Sequence, residues 1–236
     1  MTAPSSSSLS QNIDARLQSE SAYQRIKSAI VSGEMGPGAK SLEPALARTL
    51  GMSRTPVHEA LLRLENEGYV HVAPRRGMTV ALLSTRDLRE ITEVLACLEV
   101  EAAERAAGRR LNAAELVPLD EAVAAMDRAL DAKDLDAWNE SDYRFHRLLI
   151  EASGNRHLID VAHRFLEKAN RYRTLTTRHR LPPVYSNVNH AAVLEAIRRG
   201  DTQSAAEIHR AHKRRWMREL SDILPRLSPG VAESEG

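Results

Sequence analysis

Apolar positions near the start of the chain recur every three or four residues, in short blocks. Tyr23, Ile26 and Ile30 form one block, Leu46, Ala47 and Leu50 a second, and Val57, Leu61, Leu62 and Leu64 a third. This spacing puts each block on one helical face, with the four apolar side chains of the third block pointing inward. It predicts helices near 22–32, 42–50 and 53–68, the first two separated by a Gly-Pro-Gly turn. Ser53 is placed as an N-cap, Pro56 fits the first turn, and Gly68 supplies the stop. The pattern then changes to short β-prone runs, Tyr69–Val72 and Met78–Leu82, around Ala-Pro-Arg-Arg-Gly. From Thr85 helical spacing returns in segments near 85–107, 113–131, 134–153, 156–177, 185–199 and 202–224. Caps and breakers mark their ends: Asn112, Asp134, Gly154-Asn155, Pro182-Pro183, Ser186, Gly200-Asp201 and Pro225.

The expected fold is mainly all-α. Residues 20–83 form a winged helix-turn-helix with a small two-stranded β wing, and residues 84–227 an antiparallel helical bundle of about six helices. The Ser-rich segment 1–19 and the Gly/Glu/Ser segment 228–236 are expected to be disordered tails.

Composition adds limits. Aromatics make up 4% of the 236 residues, which disfavours a sandwich or barrel. The single cysteine, Cys97, allows no intrachain disulfide, agrees with a reducing cytoplasm, and is read as a small core residue. No run approaches the roughly 20 apolar residues of a membrane span. Net charge is +1 overall, but residues 21–82 carry eight Lys or Arg against five Glu, a net of +3 that leaves −2 elsewhere. A modestly basic N-terminal domain suits a DNA reader joined to a sensor.

The helix after Ser53 carries Arg54, Thr55 and His58 at its N-terminal end, and Arg75, Arg76 and Gly77 form the wing tip. Cations and hydroxyls on a short helix suit the major groove, where base edges and phosphates lie within reach. Tyr23-x-x-Ile26, Gly33, Pro37-Gly38, Leu46-Ala47, Ser53-Arg-Thr-Pro-Val57, Glu59-Ala-Leu61, Leu64-Glu65, Glu67-Gly68 and Gly77 follow in order. This run resembles the GntR superfamily of bacterial transcription regulators. The resemblance implies an operator-binding homodimer whose DNA contacts are Arg54, Thr55, His58, Arg75, Arg76 and Gly77. Two positions depart from the family pattern: Pro44 and His58 stand where relatives carry arginines. The operator is therefore expected to differ from the usual one.

In the bundle, Asp142 and His146 share one helix face, while His190 and His212 lie mid-helix among apolar neighbours. Three His and one Asp converging between helices would make a site for a borderline divalent metal. Taken alone, an Asp/His pair at this spacing is most often a plain hydrogen bond, at the surface or buried. The spacing Asp-x-x-x-His, with a His before Gly200-Asp201 and another eleven residues after Asp201, resembles the FCD ligand-binding domain of the FadR subgroup. That resemblance implies metal ligation by Asp142, His146, His190 and His212, with zinc as the default and nickel, manganese or iron allowed. It also implies a small effector, an organic or sugar acid, at the metal, and repression of a pseudo-palindromic operator. Leu95 replaces an arginine linked to anionic effectors, so Arg171 and Arg173 are the candidate cations. His209 is read as a surface residue, and His157, His163 and His179 as solvated. A hydrolase-like enzyme is the competing class, disfavoured because no separate general base is visible. A structural or signalling metal is the other alternative.

Overall fold

The computed structural model describes residues 6–74, 76–82, 84–177 and 182–227, which divide into two compact units, 1–82 and 83–236. Arg75, His179 and the segment 228–236 lie outside the described residues.

In the first unit, α1 spans Ser6–Ser32, β1 Lys40–Ser41, α2 Glu43–Leu50, α3 Arg54–Asn66, β2 Val70–Ala73 and β3 Gly77–Val80. Ala22, Tyr23, Ile26 and Ile30 of α1 are buried, as are Leu46 and Ala47 of α2 and Val57, Ala60, Leu61 and Leu64 of α3. Leu62 is 43% exposed, against expectation, because it stands about 100° around the helix from Leu61. Ser53 occupies the N-cap of α3 without a side-chain capping bond. Beyond the helix, Gly68 takes a φ of 79° that ends it and turns the chain into β2.

One expectation fails here. The segment 6–19 is not a loose tail but continues α1 as one helix. Once a buried stretch has nucleated a helix, each added residue forms a further bond at little cost, even where Leu17 remains 64% exposed. The two-stranded wing is present as β2 paired with β3, and β1 adds a short third strand to it. The sheet has order β1-β3-β2, all antiparallel, with Lys40 opposite Thr79 and Val72 opposite Met78. β1 is too short for alternation to reveal it. Gly77, at a φ of 75°, lies so close to β1 that a Cβ would come within 2.3 Å of the Ser41 carbonyl oxygen.

The second unit is helical among its described residues: α4 Thr85–Arg109, α5 Ala113–Asp131, α6 Leu135–Ala152, α7 Arg156–Thr176, α8 Val184–Arg199 and α9 Thr202–Leu227. Ser84, Asn112, Asp134 and Asn155 cap α4 to α7 through their side chains, and Asn112 with Glu115 completes a capping box. α4 packs against α6, α7, α8 and α9. Two apolar clusters form the interior. One gathers Ala103, Met126, Trp138, Phe145, Leu194 and Ala205, and the other Leu88, Leu95, Leu166, Tyr172, Trp216 and Leu220. Along α4 and α9 the residues between these clusters are Glu99, His209, His212 and Lys213, all buried, so a polar layer divides the core. Cys97, expected in the core, is exposed on α4, out of phase with buried Leu95 and Glu99. None of the described helices is long and apolar enough to cross a membrane.

Candidate metal centre and DNA-reading face

Four residues from three helices meet in the polar layer. α6 delivers Asp142 and His146 one turn apart, α8 delivers His190 and α9 delivers His212, each at most 4% exposed. One nitrogen from each of His146, His190 and His212 lies within 4.8 Å of the others. His146 Nε2 and His190 Nε2 are 3.3 Å apart, and Asp142 Oδ1 is 3.4 Å from His190 Nε2 and 3.8 Å from His146 Nε2. Donors about 2.1 Å from a tetrahedral zinc would be separated by ~3.4 Å along each edge. The three separations, 3.3–3.8 Å, therefore lie near the spacing a divalent ion needs.

The protonation states agree with this fit. Burial lowers His146 to about 4 and His190 to about 3, with Asp142 opposing the shift and Arg173 adding to it. His212 lies well below the ordinary imidazole range for the same reason, with the neighbouring imidazoles adding. Neutral imidazoles keep the lone pairs that a metal requires.

Further charged groups surround these four side chains. Arg173 Nη1 sits 2.6 Å from Asp142 Oδ2, leaving Oδ1 turned toward the histidines. Its guanidinium carbon is 5.4 Å from the Trp216 ring. Arg171 is also buried, but lies over the Tyr172 ring at 5.4 Å. Glu99 Oε1 is 3.2 Å from His146 Nδ1, while Glu99 Oε2 accepts from His209 Nε2 at 3.1 Å and pairs with Lys213. With a carboxylate beside Nδ1, His146 favours the tautomer that leaves Nε2 as the donor atom. Glu99, His146 and His209 also satisfy the spacing for a metal. Lys213 is paired with Glu99 on that side, although burial lowers its ammonium to about 7.

His209 is thus wholly buried rather than on the surface. The signal was present: Ala205, His209, His212, Trp216 and Leu220 follow one helical face, so a histidine in that series faces inward. Glu99 and Lys213 were missed because charged residues on an apolar stripe are ordinarily assigned to its edge. His157 is exposed as expected, but His163 is only partly exposed, 3.8 Å from Glu151.

In the first unit, Arg54, Thr55 and His58 are exposed on one side of α3, with Gly77 beside them across a groove of about 530 Å³. Leu42, Glu43, Pro44 and Leu62 also line that groove. His58 Nδ1 lies 3.1 Å from Glu43 Oε2 of α2. Arg76 is exposed next to Gly77. The opposite side of α3 is anchored by Glu67, which accepts from the Tyr23 hydroxyl at 2.7 Å and pairs with Lys27 at 3.0 Å and Arg63 at 3.2 Å.

A winged helix-turn-helix and a helical bundle with a buried histidine cluster define a class of ligand-responsive DNA-binding regulators, and the comparisons place the chain within it. The model of bacterial regulatory proteins of the gntR family matches residues 18–80, and the FCD domain matches residues 90–215. An HTH-type transcriptional regulator from the TAR-I ttuE-ttuC' intergenic region of Agrobacterium vitis is 42% identical over 131 residues, covering 55% of this chain and 77% of its own length. The HTH-type transcriptional repressor RspR of Escherichia coli K12 is 24% identical, covering 87% of this chain and 88% of its own. The solved structure of E. coli McbR/YncC superposes with a TM-score of 0.71 at 23% identity, covering 87% of this chain and 97% of its own. The chain belongs to the gntR family of bacterial regulators that carry an FCD domain. It is a transcription regulator and not an enzyme.

Proposed function

We propose that the protein is a homodimeric repressor whose hold on a pseudo-palindromic operator is set by an acidic effector bound at a divalent metal in the FCD domain. The observation that carries this reading is the set of donor separations at Asp142, His146 and His190, 3.3–3.8 Å, in a buried and neutral imidazole cluster. Asp142, His146, His190 and His212 would hold the ion. Zinc suits three imidazoles and a carboxylate, and nickel, manganese or iron suit them nearly as well. A bound ion would offer an open coordination position to an effector carboxylate. Arg173, buried beside Asp142, is the better placed cation for the rest of that anion, and Arg171 the more distant candidate. Arg54, Thr55, His58, Arg75, Arg76 and Gly77 are the proposed DNA contacts, two copies of α3 reading two half-sites. Such a protein would act in the cytoplasm, where its operator is. The name of the repressor RspR supports the repressing sense.

Effector control requires that the effector bind one arrangement of the dimer more tightly than the other. Elemental analysis of the purified protein tests the site first. We expect about one metal per chain, lost in His146→Ala and His190→Ala while helical circular dichroism persists. Small organic acids should then raise the Tm of the metal-loaded protein. Absence of metal, even after divalent ions are added back, would overturn the sensor mechanism. Metal that alone sets DNA affinity would make the ion the signal.

A further inference from the structure

We propose that His58 and Glu43 together form a base-reading unit that selects an amino-bearing base edge, adenine N6 or cytosine N4, over guanine. The proposal rests on α3 being the DNA-reading helix.

His58 lies in the N-terminal half of α3 with its side chain 51% exposed, and Glu43, at the start of α2, is 25% exposed. The two are 3.1 Å apart through His58 Nδ1 and Glu43 Oε2. An ionised carboxylate has only acceptors, so Nδ1 must be the protonated nitrogen. In the neutral ring this leaves Nε2 as an acceptor, and the carboxylate fixes the direction in which it points. An acceptor offered to the major groove matches the exocyclic amines of adenine and cytosine. It opposes guanine, which presents O6 and N7, both acceptors. The negative charge of Glu43 repels the same guanine edge.

The surroundings reinforce the choice. Pro44, beside Glu43, offers no side-chain donor to the groove, and Leu62, one turn beyond His58, is 43% exposed along the same groove. An exposed leucine on a base-reading face can contact a thymine methyl, the partner edge of adenine. Among the described residues, Arg54 is the permanent cation lining this groove, and it stands one turn before His58, so guanine reading falls to a different position of the half-site.

The test is selection from a randomised double-stranded DNA library by the full chain, in mildly alkaline buffer. Wild type is compared with Arg54→Ala, His58→Ala, His58→Arg and Glu43→Gln, each checked for intact circular dichroism. The wild type should fix adenine or cytosine at one position per half-site. His58→Arg should move that position to guanine, and His58→Ala should erase the preference there alone. Glu43→Gln should reduce the discrimination about tenfold while leaving the other positions unchanged. If Arg54→Ala alters the selected motif but no His58 or Glu43 variant does, the pair has no reading role. An unchanged motif in every variant would remove α3 as the reader as well. Uniformly weaker binding of Glu43→Gln with the same base preference would reduce the pair to a helix–helix tether and overturn the proposal.

Discussion

Tyr23, Lys27, Arg63 and Glu67 in the first unit, and Glu99, Asp142, Arg173 and Lys213 in the second, are two clusters of similar chemistry in opposite surroundings. In the first, Lys27 is 23% and Arg63 50% exposed, and the groups hold α1 against the end of α3 with water at hand. In the second, none of the four is more than 2% exposed. Solvent screens the first cluster, so it adds little beyond geometry. The second is shielded from bulk solvent, so its charges must be answered largely by their neighbours. A polar layer of this kind is a poor way to gain stability. Its presence between two apolar clusters is explained if it holds a ligand.

That contrast yields graded expectations. Glu99→Ala leaves Lys213 and His209 buried without their anion, and should cost about 3–5 kcal/mol in denaturant unfolding. Hydrogen exchange should place the loss in α4, α6 and α9. Loss below ~1 kcal/mol would show that the layer is wetter than its burial implies.

Acid should act on the same layer. His146 and His190 titrate near 4 and 3 in the folded protein, against about 6.5 when unfolded, so below pH 6.5 the unfolded chain binds more protons. Stability is therefore full above that value and is lost as pH falls toward 4, by up to about 1.4 kcal/mol per unit for each imidazole. Melting of metal-free protein from pH 7 to pH 4 checks the sign, and a flat profile would contradict it.

Smaller effects belong to the first unit. Gly77→Ala combines a positive φ with the 2.3 Å approach to Ser41, and should cost about 1–3 kcal/mol, read as exchange in the sheet while the second unit keeps its protection. Arg63→Ala removes an exposed pairing with Glu20 and Glu67 and a stack 3.7 Å above the Tyr23 ring. Its cost should be about 1 kcal/mol or less and should shrink with added salt.

Much of this architecture was legible in the sequence, because its helices announce themselves through caps. Asn112, Asp134 and Asn155 each stand at the N-cap their residue types suggest, and Gly200 ends α8 at a φ of 71°. What escaped depended on phase or on distant chain. Leu61 and Leu62 are both apolar, yet only one can face the core. Cys97 looks apolar and is exposed, while Glu99, two residues later, looks solvated and is buried. β1 exists only because β3 returns beside it. The meeting of His146, His190 and His212 was visible through spacing, and the inward face of His209 through its phase on α9, but Glu99 and Lys213 become neighbours only when α4 and α9 pack, and no local pattern carries that.

The turn at Gly200-Asp201 has a further consequence. His190 precedes Gly200 by ten residues and His212 follows Asp201 by eleven, so the chain runs about 15 Å along α8 and about 16 Å back along α9. The two rings meet, 4.6 Å apart, because the outward and return lengths nearly cancel. The hairpin therefore works as a vernier. Inserting one residue between His190 and the turn would swing that imidazole about 100° around its helix while leaving its chemistry untouched. In such a hairpin, a substitution away from the two histidines leaves their rings facing each other, whereas an insertion or deletion on one side of the turn parts them.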